Sequence, residues 1–188
     1  MPATPNPPSP RGSSREKLLD AAADLITRLG VQELTLDAVA AAAGVTKGGL
    51  IYHFKTKDEL LGALVERMIE QLDQRQRAKA AKRGTAKSAL LLALVEETFD
   101  MSRSEKQLLT NLLAAASAHP HLLGPVRKLF KETYGELAEG GAEAGLALAI
   151  AAALDGISLL ELLDFHQFTK GQREAMRNAL HELIAKLA

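Results

Sequence analysis

The sequence predicts an all-α fold. Three observations carry this expectation. Apolar residues recur at helical spacing in one segment after another. No segment shows the clean apolar–polar alternation of a half-buried strand. Capping residues, glycines and prolines punctuate the chain at helix-length intervals. At 188 residues the chain has room for one domain or two small ones, and a hydrophobic content of 47% is ample for a core. The expected organisation is a tail over 1–12, a three-helix head over 13–57, and a helical body over 58–188, about nine helices in all. No internal repeat is visible.

Residues 1–12 hold five of the seven prolines and no apolar period, so they are expected to be disordered. Ser13 and Glu16 have the spacing of a capping box for a first helix, whose Leu18, Ala22, Leu25, Ile26 and Leu29 share one face before Gly30 ends it. Thr35 is placed to cap a second, short helix with Leu36, Val39 and Ala40 inward. Ala40 to Ala43 are small, so another helix can approach closely. Gly44 stands where that helix must stop, since glycine enters the left-handed region at little cost. Val45 is the apolar residue of the turn, and Thr46 caps a third helix over roughly 47–53. Two glycines cost this third helix about 2 kcal/mol relative to alanine. Leu50 and Phe54 are its core-facing pair. Thr56 and Glu59 form a further capping box, opening a long helix that carries Leu60, Leu61, Leu64, Val65, Met68, Ile69 and Leu72.

The body reads as helix throughout. From Arg75 to Lys87 there are six basic residues and no acidic one, read as a solvated helix end and loop around Gly84 rather than a second nucleic-acid patch. Helices are expected over about 86–101, 104–118 (boxed by Ser104 and Gln107), 122–139 (Pro125 in its first turn, Gly140 and Gly141 after it), 143–165 and 170–187. The helix over 143–165 is apolar nearly all the way round from Leu146 to Leu154 and has to be covered on all sides. Either the chain's own body covers it, or a second subunit does. In the second case it pairs antiparallel with 170–187 in a two-fold four-helix bundle, with Leu146, Ile150, Leu154, Gly156, Leu180, Leu183 and Ile184 at the interface. Gly145 and Gly156 permit close helix contact.

Function is concentrated in residues 34–60, LTLDAVAAAAGVTKGGLIYHFKTKDEL. Two short helices around a glycine turn, followed at once by a capped longer helix, are the layout of a helix-turn-helix. Lys47, Gly48, Tyr52 and His53 fall on the side away from the core-facing pair. Gly48 and Gly49 read either as loop residues or as positions that let backbone approach a groove, and the flanking pattern favours the groove. A phenol and an imidazole can donate to phosphate oxygens. Lys57 opposes the dipole at its helix start, which makes sense if a phosphate also sits there. Arg11 and Arg15 read as tail residues or as a minor-groove arm.

Ala-Gly-Val-Thr, Tyr52-His53-Phe54 and Thr56-Lys57, in order behind a capped first helix, resemble the DNA-binding signature of the TetR family of bacterial transcriptional regulators. The specific match covers residues 13–65. The resemblance implies phosphate contacts from Tyr52, His53 and Lys57, and base or groove contacts from Thr46, Lys47, Gly48, Gly49 and Thr35. It implies a homodimer joined through the last two helices, and a small-molecule pocket in the body. A ligand in that pocket would shift the spacing of the two heads. The implied function is a ligand-responsive repressor released from a pseudo-palindromic operator by a small apolar effector. The alternative is a ligand-independent activator or architectural protein with the same head. No pocket residue transfers by motif. Chemistry alone nominates the scarce aromatics Phe99, Phe130, Tyr134 and Phe165, with His119, His121 and His166 as polar options, and a Leu- and Ala-rich body suits an apolar ligand.

Composition bounds the rest. Cysteine is absent, which removes disulfides, thiol nucleophiles and Cys-based zinc sites. The net charge is zero, with residues 1–57 at +2 and residues 58–188 at −2, a small bias towards a basic head. No cleavable signal pattern is seen, the longest apolar run is far short of the ~20 residues that span a bilayer, and the expected location is cytoplasmic. No HExxH or GxGxxG occurs. Gly84-Thr85-Ala86-Lys87-Ser88 lacks the second glycine of a P-loop, and His119-Pro120-His121 is read as a helix-entry turn rather than a metal site. Enzymatic activity, a cofactor and a metal are therefore not expected. The partners expected are double-stranded operator DNA, a second copy of the chain and an effector, with no membrane.

Overall fold

The computed structural model describes residues 13–84, 87–139 and 141–187. The expectations for the tail, for Thr85–Ala86 and for Gly140 lie outside the described residues. Nine α-helices and no strand are present among the described residues: α1 (Ser14–Leu29), α2 (Leu36–Ala43), α3 (Lys47–His53), α4 (Lys57–Ala81), α5 (Lys87–Asp100), α6 (Arg103–Ala118), α7 (Gly124–Ala138), α8 (Ala144–Leu162) and α9 (Lys170–Ile184). A 3-10 turn, Pro120–Leu123, precedes α7, so the segment expected as one helix from 122 is a tight turn followed by a helix.

The chain divides into two compact units, Met1–Leu64 and Val65–Ala188. The division falls inside α4 rather than after Lys57, because the first two turns of α4 carry the buried Leu60, Leu61 and Leu64 and belong with the head. In the head, Leu18, Leu19, Ala22 and Ile26 of α1, Val39 of α2 and Leu50 of α3 are fully buried.

The caps explain the boundaries. The Ser13 hydroxyl accepts from Glu16 N–H at 3.3 Å, and the Thr35 hydroxyl from Ala38 N–H at 3.2 Å. Gly44 ends α2 at φ +63°, a left-handed conformation in which a side chain is strained. At the start of α4, Thr56 accepts from Glu59 N–H at 3.1 Å, but the Glu59 carboxylate reaches back to Lys55 N–H at 2.7 Å rather than to Thr56. The box on α6 is formed by Ser102 and Glu105, not by Ser104 and Gln107. The Glu105 carboxylate accepts from Ser102 N–H at 2.9 Å, and Ser104 falls inside the first turn.

In the body, α8 packs against α5, α6, α7 and α9. Its Ala147, Ile150, Ala151, Leu154 and Ile157 join Leu91, Val95 and Phe99 of α5, Leu137 of α7, and Leu180 and Ile184 of α9 in one apolar cluster. By length and composition α8 could cross a membrane. Here one face of it forms the core of the body, which is where an all-round apolar helix also belongs. Glu161 is buried near the end of α8 and is held by Lys106 of α6 at 2.5 Å and by Arg173 of α9. Burial alone would push the Glu161 carboxyl up. The hydrogen bonds from Arg173 and Lys106 outweigh that and hold it below the ordinary carboxylate value. The basic run beyond Arg75 is not simply solvated. Arg75 and Lys79 pair with Glu97 of α5 at 2.9 and 2.7 Å, and Arg83 pairs with Glu96.

Candidate nucleic-acid interface

The head presents its candidate residues from three helix starts and one short helix. Leu50 (0% exposed) and Phe54 (3%) anchor α3, as expected from their spacing. The opposite side carries Tyr52, 85% exposed, beside Ile51 at 42%. A tyrosine this exposed adds little to folding, because its ring has left little water. His53 is half-buried and meets the Tyr52 ring edge-on with centroids 5.1 Å apart. The Thr46 hydroxyl accepts from Gly49 N–H at 3.1 Å and so starts α3 where the turn ends. Thr35, Thr46, Lys47, Gly48 and Tyr52 are all exposed.

Three of the expected residues are held in ways the residue pattern does not show. Gly48 has open space where a Cβ would be, which suits a close approach by a partner. Gly49 does not. A Cβ there would lie 2.9 Å from Val45 Cγ1 and 3.2 Å from Thr46 Oγ1, so the missing side chain serves the turn's own packing. Lys57, at the first position of α4, is half-buried and donates from Nζ to the Gln32 carbonyl at 3.3 Å. Lys47 donates to Asp37, an acidic neighbour ten residues away that no helical spacing connects to it. Arg15, read earlier as a possible arm, lies over the Phe54 ring at 5.5 Å and is part of the folded head.

The body residues are distributed differently from expectation. Ile150, Leu154, Leu180 and Ile184, expected at a dimer interface, are buried in the protomer's own core, at 2%, 2%, 7% and 2% exposure. Leu146 and Leu183 pack against the same cluster, and Gly156 is half-buried. The physical reason is that α5, α7 and α9 already cover that face. The outward face of α8 is instead Gly145, Ala149, Ala152 and Ala153, continuing into Leu159, Leu160 and Leu163. The four aromatics expected around a pocket lie outside the linings of the two cavities described below. Phe99 sits in the core beneath the guanidinium groups of Arg173 and Arg177, at 5.2 and 5.3 Å. Phe130 and Tyr134 stack on α7 with centroids 6.1 Å apart, and Phe165 is 75% exposed. The Tyr134 hydroxyl donates to Asp155 of α8 at 2.5 Å. Burial and that hydrogen bond push the tyrosine up, while burial pushes Asp155 up against the opposing effect of Tyr134.

Two of the cavities among the described residues lie in the body. One, about 50 Å³, is walled only by apolar side chains, among them Met68 and Ile69 of α4, Leu109 and Leu113 of α6, and Leu122 and Val126. The other, an open cleft of about 270 Å³ between α4 and α7, has an apolar floor of Ile69 and Leu129 and a rim of Glu66, Glu70, Asp73, Lys128 and Glu132.

Residues 18–64 match the family described as bacterial regulatory proteins, tetR family, and residues 88–185 match the tetracyclin repressor-like C-terminal domain family. Among curated relatives, the HTH-type transcriptional regulator BetI of Klebsiella pneumoniae is 32% identical over 159 residues, covering 77% of this chain and 80% of that protein. BetI of Serratia proteamaculans is 28% identical over 173 residues, covering 86% and 87%. Among solved structures, the multidrug binding protein EbrR complexed with imidazole superimposes with a TM-score of 0.67 at 27% identity, covering 92% of this chain and 96% of that one. A TetR-family member from Streptomyces coelicolor gives 0.65 at 28% identity, covering 91% and 98%.

Proposed function

The chain belongs to the TetR family of bacterial transcriptional regulators, which bind DNA through a helix-turn-helix and are not enzymes, and from that premise we propose that it is a homodimeric, cytoplasmic repressor released from a pseudo-palindromic operator by a small apolar effector. The observation that carries the proposal is the outward side of α3. A mostly exposed tyrosine, a lysine and a bare glycine stand together on a helix that is anchored from its other side by the fully buried Leu50. A side chain with no folding role in that position is explained by a partner. Two such helices, entering successive major grooves about 34–36 Å apart, would read an inverted repeat. Tyr52, His53 and Lys57 then hold phosphates and set the register, while Thr46, Lys47 and Gly48 face the groove and Thr35 flanks it.

Dimerisation is supported by the outward stripe of α8. Gly145, Ala149, Ala152 and Gly156 recur at three- and four-residue spacing and lead into the exposed Leu159 and Leu163. Small residues let a facing helix approach, and the two leucines supply apolar area. Ala175 and Ala179 give α9 a matching exposed row. The effector reading is supported by the wholly apolar recess between α4, α6 and the start of α7, which adjoins the helix that leads from the head.

Selection from a random-sequence DNA pool with the purified protein, followed by stoichiometry on the enriched duplex, tests this reading. An enriched inverted repeat bound by two or four chains is the expected result. Absence of enrichment, with only salt-sensitive generic binding, would refute it. The enriched duplex then serves to screen for ligands that release the protein. The screen starts with imidazole, malachite green and ethidium, with which EbrR has been crystallised.

A further inference from the structure

We infer that Asp37 is a specificity-determining residue of the head, acting by holding the ammonium of Lys47. The inference rests on reading the head as the DNA interface. Lys47 Nζ lies 2.9 Å from Asp37 Oδ1 and 3.2 Å from Oδ2, so the carboxylate grips the ammonium with both oxygens. Asp37 stands in the first turn of α2 and Lys47 opens α3, so the pair bridges the two helices of the motif across its turn. Both side chains are 67% exposed, and the neighbouring Thr46 and Gly48 are exposed as well. An ion pair this wet adds little to folding. Its effect is on what may approach.

The consequences differ for generic and cognate DNA. Any duplex brings phosphates, and a free lysine would pair with whichever came nearest, which is sequence-independent attraction. Asp37 removes that option in two ways. It occupies the ammonium, and it places a negative charge beside the incoming backbone. A cognate site escapes this penalty if it offers acceptors in line with the held ammonium, as guanine N7 and O6 do in the major groove. The three donors of the ammonium allow it to keep Asp37 and reach a base at once. Specificity then arises from a repulsion against the wrong partner as much as from attraction to the right one.

The test compares wild type, Asp37→Asn, Asp37→Glu, Lys47→Met and the Asp37→Asn/Lys47→Met double variant in the full-length chain. Each is titrated by fluorescence anisotropy against a scrambled duplex and against the duplex enriched from a random pool, over a range of salt. Asp37→Asn is expected to raise affinity for the scrambled duplex about three- to fivefold for each head in contact. It should also steepen the salt dependence by about one released counterion per head, and lower the ratio of enriched to scrambled binding. Asp37→Glu should keep the wild-type ratio, and the gain should vanish in the Lys47→Met background. If wild type binds both duplexes and Asp37→Asn leaves the scrambled affinity and salt slope unchanged, the inference is wrong while the head's assignment stands. A gain that persists without Lys47 would equally overturn it, since the effect would then be simple charge removal. Wild type that binds neither duplex would overturn the reading of the head and this inference with it.

Discussion

Exchanging each of the two adjacent glycines of α3 for alanine separates packing from DNA contact. Both lie in a helix, where alanine is favoured over glycine by about 1 kcal/mol. At Gly48 the new methyl meets no atom within 4 Å, so that preference is realised in full and the head should gain up to about 1 kcal/mol of stability. The same methyl projects from the exposed side of α3 and would stand between backbone and groove, so affinity for the enriched duplex should fall. At Gly49 the methyl meets Val45 Cγ1 at 2.9 Å and the capping hydroxyl of Thr46 at 3.2 Å. Relief requires the Val45 side chain to turn, or Thr46 to loosen its 3.1 Å bond from Gly49 N–H. Overpacking of this kind costs about 1–3 kcal/mol, and a weakened cap adds to it. The helix preference offsets part of this, leaving a net loss of about 1 kcal/mol. Thermal unfolding by circular dichroism reads the stabilities, and anisotropy on the enriched duplex reads binding. Gly48→Ala should be the more stable protein and the weaker binder. A Gly49→Ala chain as stable as Gly48→Ala, or a Gly48→Ala chain with undiminished affinity, would refute the division of roles.

Tyr52→Ala and Lys57→Ala should weaken binding to all duplexes alike and flatten the salt dependence, as lost phosphate contacts do; Tyr52→Phe, which keeps the ring, should reproduce most of the Tyr52→Ala loss if the hydroxyl is the contact. On α8, Ala152→Arg should convert a dimer to monomers in sedimentation with little change in protomer stability, whereas Ile150→Ala should cost about 2–4 kcal/mol of folding stability through a core cavity. Glu161→Gln should destabilise the body by about 3 kcal/mol, because Lys106 and Arg173 lose their buried partner. The pH dependence has a definite sign. The folded carboxyl of Glu161 lies below the ordinary 4.5, so its contribution is complete above that value and is lost as pH falls through the lower folded value. Urea titrations between pH 3 and 6 should show that acid-side slope in wild type and less of it in Glu161→Gln.

Much of the head was legible because its signals are local. Thr35, Gly44, Thr46 and Thr56 act within four residues of themselves, and the Leu50–Phe54 pair follows from one helical period. Errors within four residues were errors of register. Ser102-Arg-Ser-Glu105 and Ser104 with Gln107 satisfy the same spacing rule, and only the backbone direction at Ser102 chooses between them. The contacts of Lys57 with Gln32 and of Lys47 with Asp37 were illegible for a different reason: 25 and 10 residues separate the partners, and no period joins them.

The sequence by itself determined the all-α class, the nine helical segments and the helix-turn-helix, because each rests on spacing, capping and the conformational range of single residues; the family came from the resemblance of its motifs to a known signature. Tertiary structure decided which way each face turned. The stretch of α8 from Leu146 to Leu154 has no polar side to orient it, so its sequence names neither an inner nor an outer face. The protomer took Ile150 and Leu154 inward because α5, α7 and α9 present large apolar side chains there. The small residues Gly145, Ala149 and Ala152 were left outside, where the least apolar area is lost by exposure. The same competition for burial put Phe99 in the core, and left an apolar recess walled by the aliphatic side chains of α4 and α6.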